Sequence, residues 1–231
     1  CPVRAALPSD VMCINVPQGL SYQGVDAIKK RRIKKLSDVS YKLLGITPDI
    51  CKSDSRIQYS PHVKNFELLG SRMRKIIPLS PNIRIGHMPK KHHKGTEYIE
   101  NVLYRLQSDY PGKFNYVPIT GVSWDKALSL VASCDLLIDQ VLTGWYGGIS
   151  VEAAYFGVPS LCYIDSDLLQ YVPKEMADEL PVIVIEHKNA LYEVLKHYIK
   201  NPEVLINEGK RCRNNSIKHH DPIKITCNIL S

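Results

Sequence analysis

From about residue 81 onward, short apolar runs alternate with amphipathic stretches. Ile83-Arg84-Ile85-Gly86 reads as a short strand, followed by a basic loop and a helical pattern over 96–107. A strand over 114–119 precedes a helix over 123–133, which Ser123 caps and Trp124-Asp125 opens. Leu136-Leu137-Ile138 has the unbroken apolar character of a buried strand. A glycine-led helix, a strand over 160–164 and a strand over 182–185 follow. The stretch 190–199 places Leu191, Val194, Leu195 and Tyr198 on one helical face, and Pro202 begins a further helix through 211. Strands separated by helices of this length predict an α/β, doubly wound parallel sheet of Rossmann-like type over 81–231. Such sheets bind ligands at the carboxyl ends of their strands, so the loops 86–95 and 139–148 are expected to open at one edge.

Residues 1–80 are less regular. The stretch 26–36 looks helical and basic, and short strands are expected around 44–46 and 56–61. The region is too short for a complete second doubly wound domain, and no repeat or low-complexity segment stands out. The chain opens Cys-Pro-Val-Arg, with neither an initiator Met nor a signal-peptide pattern, and a fragment lacking its N-terminal part is expected.

Composition narrows the partners more than the fold. The 231 residues hold enough apolar content for a substantial core, and no apolar run approaches the length of a membrane-spanning helix. Seven cysteines, at 1, 13, 51, 134, 162, 212 and 227, are scattered, odd in number and without a Cys-x-x-Cys pair. That pattern favours reduced, buried thiols in a cytoplasmic protein over disulfides or a zinc site. The net charge of +7 gathers partly in Lys29–Lys35 and in Lys90-Lys91-His92-His93-Lys94. Such charge suits nucleic acid, anionic membrane or phosphorylated small molecules, and cannot choose among them by itself.

Residues 144–160, Gly-Trp-Tyr-Gly-Gly-Ile-Ser-Val-Glu-Ala-Ala-Tyr-Phe-Gly-Val-Pro-Ser, carry the most chemistry. Gly147 and Gly148 remove side chains where a helix begins, so a ligand can approach its free N–H groups and the positive end of its dipole. Glu152 lies four residues after Gly148 on the same face, placed to accept hydrogen bonds from sugar hydroxyls. Gly157-Val158-Pro159 ends the helix. A ligand with both phosphate and hydroxyls is expected. The same residues also read as an ordinary turn, with Glu152 complementing the helix dipole.

On these features the chain resembles the C-terminal domain of a GT-B fold glycosyltransferase of the group 1, or family four, type. The resemblance covers roughly 82–225 and rests on Lys94-Gly95-Thr96, on the 134–140 strand Cys-Asp-Leu-Leu-Ile-Asp-Gln, and on Gly144–Pro159, whose end echoes Glu-Ala-x-x-x-Gly-x-Pro. It implies that Lys94 contacts the donor diphosphate, with Gly95 and Thr96 beside it. It also implies that the Gly147–Gly148 backbone supports the same phosphates and that Glu152 holds the nucleotide ribose. A lysine suits the negative charge that builds on a leaving diphosphate. No metal and no cofactor are expected, the nucleotide-diphosphate sugar being a substrate. The reaction implied is sugar transfer to a glycan or lipid-linked acceptor, retaining and metal-independent. Residues 1–80 would be the remnant of the acceptor-side domain and the linker.

The chain departs from the family pattern twice. The first of two glutamates spaced along the loop is replaced by Gly144, for which Asp139 and Gln140 are the nearby stand-ins; Asp139 reads equally as a turn cap. The arginine before the lysine is absent, leaving Lys90 and Lys91 without its bidentate fork. A non-catalytic nucleotide- or sugar-binding module is therefore the alternative. Tyr146, with Trp145, reads either as a stacking platform for the donor or as packing under the loop. His92-His93, with His87 nearby, lack partners for a metal set, and His219-His220 reads as a surface turn. The run at 29–35 reads as a solvated face first and as a peripheral contact with the anionic inner face of a membrane second. No nucleic-acid partner is expected.

Overall fold

The computed structural model of the chain describes residues 11–14, 31, 34–35, 42–70, 82–89 and 94–230. Lys90, Lys91, His92 and His93 lie outside these residues, as does most of the basic stretch 26–36, of which 31, 34 and 35 are helical and exposed.

The expected doubly wound sheet is present. Its strands are β4 (Ile83–His87), β5 (Phe114–Pro118), β6 (Leu136–Gln140), β7 (Ser160–Tyr163) and β8 (Ile183–Ile185), all parallel, in the order β5-β4-β6-β7-β8. β6 is buried at every residue, as a parallel strand covered on both faces must be. Leu136 and Ile138 join a core with the helices Thr96–Asp109 and Leu191–Lys200, while Leu137 joins one with Trp124–Ala132 and Gly148–Tyr155. Leu191, Leu195 and Tyr198 form the buried stripe that their spacing predicts, with Val194 at its margin. Ser123 caps as expected, its hydroxyl accepting from the Lys126 amide at 3.4 Å. Gly157, at φ 78°, takes the left-handed position that closes the Gly148–Tyr155 helix before Pro159.

The last part of the chain departs from expectation. The helix expected over 202–211 is Val204–His220, followed by a helix Pro222–Leu230. Its crossing over the Gly148–Tyr155 helix is tight: a Cβ at Gly209 would stand 2.2 Å from the Gly157 carbonyl oxygen. Ser216 Oγ and Arg213 then donate to the Val151 and Tyr155 carbonyls at 3.0 and 2.7 Å.

A second, three-stranded parallel sheet joins β1 (Val11–Ile14), β2 (Lys42–Gly45) and β3 (Ile57–Tyr59), in that order. The sequence pattern shows β2 and β3 but not β1. Phe66, in the helix Phe66–Gly70, stacks on Tyr155 at 4.6 Å, which joins the N-terminal part to the larger sheet. The Lys42 ammonium donates to the Ile229 carbonyl at 2.9 Å, tying β2 to the C-terminal helix. Cys51, Cys134, Cys162 and Cys212 are buried thiols, whereas Cys227 is exposed. No helix among the described residues is long and apolar enough to cross a membrane.

Candidate functional site

The strand order reverses between β4 and β6, and a doubly wound sheet leaves a crevice outside the carboxyl ends of the strands at such a reversal. The two loops singled out by the sequence leave from these two strand ends. His87, the last residue of β4, is fully buried and bonds the Ile138 carbonyl through Nδ1 at 2.7 Å and the Thr96 hydroxyl through Nε2 at 2.9 Å. A carbonyl only accepts, so Nδ1 carries the proton and Nε2 accepts from Thr96. Burial lowers the pKa of this ring, consistent with the neutral form. Gly95 has φ 76°, and a Cβ there would stand 2.6 Å from Val141 Cγ2, so glycine lets the two loops touch. Thr96 and Gly95 thus lock the β4 loop to the β6 loop.

Asp139 is the hub of the crevice. The β6–β7 register runs Ile138 to Leu161 and then Gln140 to Cys162, leaving Asp139 as a bulged residue. A bulge re-aims a side chain that regular pleating would point elsewhere. The Asp139 carboxylate, fully buried, accepts from Lys94 Nζ at 2.6 Å, the Gly147 amide at 2.7 Å and Ser150 Oγ at 2.7 Å. Burial alone would raise its pKa, but the charge and hydrogen bond of Lys94, with the Ser150 and Gly147 donors, hold it below the ordinary carboxylate value. Lys94, Asp139 and Gly147, named separately from the sequence, form one bonded unit.

The other half of the crevice is built around Glu152. It is 5% exposed, and its Oε1 accepts from Lys64 Nζ at 2.7 Å. Lys64 comes from the segment after β3 and was not anticipated; its partner lies 88 residues away, so no local spacing announces it. A Cβ at Gly148 would stand 3.0 Å from Lys64 Nζ, which places the ammonium over the start of the Gly148–Tyr155 helix. The neighbouring Gly147 faces Asp139 Oδ2 in the same way, at 3.1 Å from its would-be Cβ. Glu152 Oε2 is buried with no hydrogen-bond partner among the described residues. Desolvation raises the pKa of this carboxyl, with Lys64 opposing the rise.

Two sequence-derived candidates lie elsewhere. Tyr146 is fully buried, its ring 4.9 Å from that of Trp145 and its hydroxyl 3.2 Å from His220 Nε2. A ring enclosed on all sides has no face to offer a ligand, so packing under the loop is the observed role. Gly144, at φ 74°, forms a turn whose carbonyl accepts from the Asp165 amide at 2.9 Å. A side chain there would meet Asp165 Cβ at 3.0 Å in a left-handed backbone, so a glutamate does not fit this turn. Asp165-Ser166-Asp167 has an Asp-x-Asp spacing; Asp165 Oδ1 accepts from the Asp167 amide at 3.0 Å and caps the turn beginning at Ser166.

His220 also corrects a reading. It is not in a surface turn but fully buried in the last turn of its helix, with Nδ1 donating to the His62 carbonyl at 2.7 Å. Burial lowers its pKa to about 3, and that of His62 to about 4. The folded chain therefore binds fewer protons than the unfolded chain below the ordinary histidine pKa. Stability is fully present above about pH 6.5 and is lost as pH falls toward the folded values, by about 1.4 kcal/mol per pH unit from His220 alone. Urea unfolding between pH 7.5 and 5 is expected to show this decline, and His220→Gln is expected to flatten it; an equally steep decline in the variant would assign it to other groups.

Two open cavities are present among the described residues, and one of them adjoins the site at Gly95 and Thr96. One, of about 540 Å³, borders Gly95, Thr96, Leu142 and Lys188; the other, of about 440 Å³, lies between Tyr59, Lys218, His219 and the C-terminal helix. Neither is lined by Asp139 or Glu152, the first of which is bonded by Lys94 and the second by Lys64.

No protein-family profile and no curated protein matches this sequence. Solved structures do. HepE of Anabaena, in complex with UDP and glucose, superposes with a TM-score of 0.62 at 11% identity over 89% of this chain and 66% of its own. Sucrose-phosphate synthase of Thermosynechococcus elongatus gives 0.59 at 13% identity, over 90% of this chain and 62% of its own. A glycosyltransferase of Rickettsia africae gives 0.61 at 12% identity, over 91% and 67%. The chain spans about two thirds of the length of these proteins. At such identities the likeness establishes the fold, which is the GT-B type that the sequence motifs led us to expect.

Proposed function

We propose that this chain is the donor-binding part of a glycosyltransferase, which moves a sugar from a nucleoside-diphosphate sugar to a glycan or lipid-linked acceptor. Residues 81–231 form its donor domain, and residues 1–80 are the tail of the acceptor-side domain with the linker. One observation carries the reading: Glu152 Oε2, a carboxylate oxygen buried beside a glycine-led helix N-terminus at the strand-order reversal, with no partner among the described residues. Buried acceptors are almost always satisfied, and a ribose hydroxyl from a bound nucleotide satisfies this one. Solved relatives in fold that hold UDP, and UDP with glucose, support the choice of ligand class.

The roles follow from charge. The diphosphate lies at the Gly148 end of the helix, where unpaired N–H groups favour anions. Lys94, fixed by Asp139, is oriented before the ligand arrives and counters the charge that grows on the leaving diphosphate. The transfer is retaining and metal-independent in this proposal, and the protein works in the cytoplasm with a peripheral contact to the membrane face where a lipid-linked acceptor sits. A non-catalytic binding module is favoured instead by one feature, the Gly144 turn packed on Asp165 where the family pattern has a carboxylate.

Binding by paired nucleotides tests the ribose contact. A hydrogen bond to a charged acceptor contributes about 1.5–3 kcal/mol, so a nucleoside diphosphate is expected to bind at least about tenfold tighter than its 2′,3′-dideoxy form. Glu152→Gln is expected to shrink that ratio. Equal affinity of the unaltered chain for both forms would remove Glu152 from the ribose.

A further inference from the structure

Resting on this reading of the site, we infer that Lys64 is a second phosphate ligand, supplied by the N-terminal part and held over the start of the Gly148–Tyr155 helix by Glu152. The inference stands on the placement of one ammonium. Lys64 Nζ is 2.7 Å from Glu152 Oε1 and 3.0 Å from where a Cβ on Gly148 would stand. It therefore lies against the first turn of the helix, on the face that Gly148 and Glu152 share. A cation is not stabilised there by the helix; that end of the dipole repels positive charge and attracts anions. Glu152 holds the ammonium there against the dipole, and a phosphate at the same helix end meets backbone donors and the ammonium together.

The remaining valences fit. An ammonium carries three donors, and the bond to Glu152 uses one. The Lys64 side chain keeps 20% of its surface exposed, against 6% for that of Glu152, so of the pair it is the lysine that is more open to a ligand. Glu152 has two jobs on two oxygens: Oε1 orients Lys64, and Oε2 is left for a hydroxyl. The lysine also offsets the repulsion that a carboxylate this close would exert on a phosphate. The site then has a repeated plan. Gly147 faces Asp139, which holds Lys94; Gly148 faces Lys64, which is held by Glu152. Each adjacent glycine leaves room for one lysine–carboxylate pair.

The plan has a consequence for how the two parts of the chain work together. Lys64 follows β3 of the small sheet and precedes the Phe66–Gly70 helix, and its amide donates to the His220 carbonyl at 3.2 Å. Phosphate binding at Gly148 thus draws on a residue of the N-terminal part, and a ligand with a diphosphate fastens that part to the donor domain. A nucleoside lacks this contact.

The test compares a nucleoside diphosphate with its nucleoside by calorimetry, using the base that the unaltered chain binds. Lys64→Gln, which keeps a hydrogen-bond donor for Glu152 but removes the charge, is expected to weaken the diphosphate about tenfold or more and leave the nucleoside unchanged. Lys64→Arg is expected to recover most of the diphosphate affinity. Thermal unfolding of each variant accompanies the titrations, because a merely structural pair would lower stability and weaken both ligands alike. Equal losses for the two ligands, or no loss for the diphosphate, overturn the role of Lys64 while leaving the donor site standing. Absence of diphosphate binding by the unaltered chain overturns the site and the role of Lys64 with it.

Discussion

Asp139→Ala is expected to be the most damaging single substitution in the site, lowering stability by about 3–5 kcal/mol. The carboxylate is fully buried and accepts three hydrogen bonds, from Lys94, Gly147 and Ser150. Removing it leaves a nearly buried ammonium without its counter-charge and two further donors without an acceptor. Asp139→Asn keeps an oxygen for Gly147 and Ser150 but not the charge, and its loss is expected to be smaller. The midpoint of urea unfolding reads both; a change in Asp139→Ala of less than about 0.5 kcal/mol would show that the pair contributes little. The same physics governs how Lys94 is to be tested. Lys94→Ala strands the Asp139 charge, so a loss of ligand binding in that variant carries information only if the variant stays folded at the titration temperature. Lys94→Arg keeps the charge and is the better companion.

Gly209→Ala is the second large effect, and here the cause is distance. The added Cβ would stand 2.2 Å from the Gly157 carbonyl oxygen and 3.2 Å from its carbon, both backbone atoms that cannot rotate away. Alanine would normally help a helix by about 1 kcal/mol relative to glycine. Separation of two helices to relieve such a contact costs at the upper end of about 1–3 kcal/mol, and it disturbs the bonds of Ser216 and Arg213 to Val151 and Tyr155. Net destabilisation is therefore expected, with weaker ligand binding because the displaced helix carries Glu152. Gly70→Ala is the control: among the described residues its Cβ meets only the Tyr155 hydroxyl, at 3.4 Å. Equal thermal midpoints for the two variants would contradict the close crossing.

The larger sheet was legible because its signals are local. Leu136-Leu137-Ile138 reads as a covered strand from its own residues, and Gly157-Val158-Pro159 states where a helix ends. The pairing of Lys94 with Asp139 was half legible: two loops after parallel strands were expected at one edge, but the bulge that turns Asp139 toward the lysine depends on the register with β7. What local patterns cannot express was missed. His219-His220 before Asp221-Pro222 looks like a turn, yet His220 is held by the His62 carbonyl and the Tyr146 hydroxyl, each far away in sequence. Lys64 sits in an unremarkable polar stretch, and its meaning comes only from Glu152 and Gly148. Tyr146 illustrates the converse. An aromatic residue in a glycine-rich loop suggests a platform for a ligand, and only the tertiary fold shows it enclosed beneath the loop.

The central claim is that the crevice between β4 and β6 binds a nucleoside diphosphate. Calorimetric titration of the chain with UDP, GDP and ADP in turn tests it most directly. Saturable binding of at least one of them, strongly reduced in Lys64→Gln and sensitive to Glu152→Gln, is the predicted result. No heat of binding with any of the three, from a chain whose unfolding curve shows it to be folded, would contradict it.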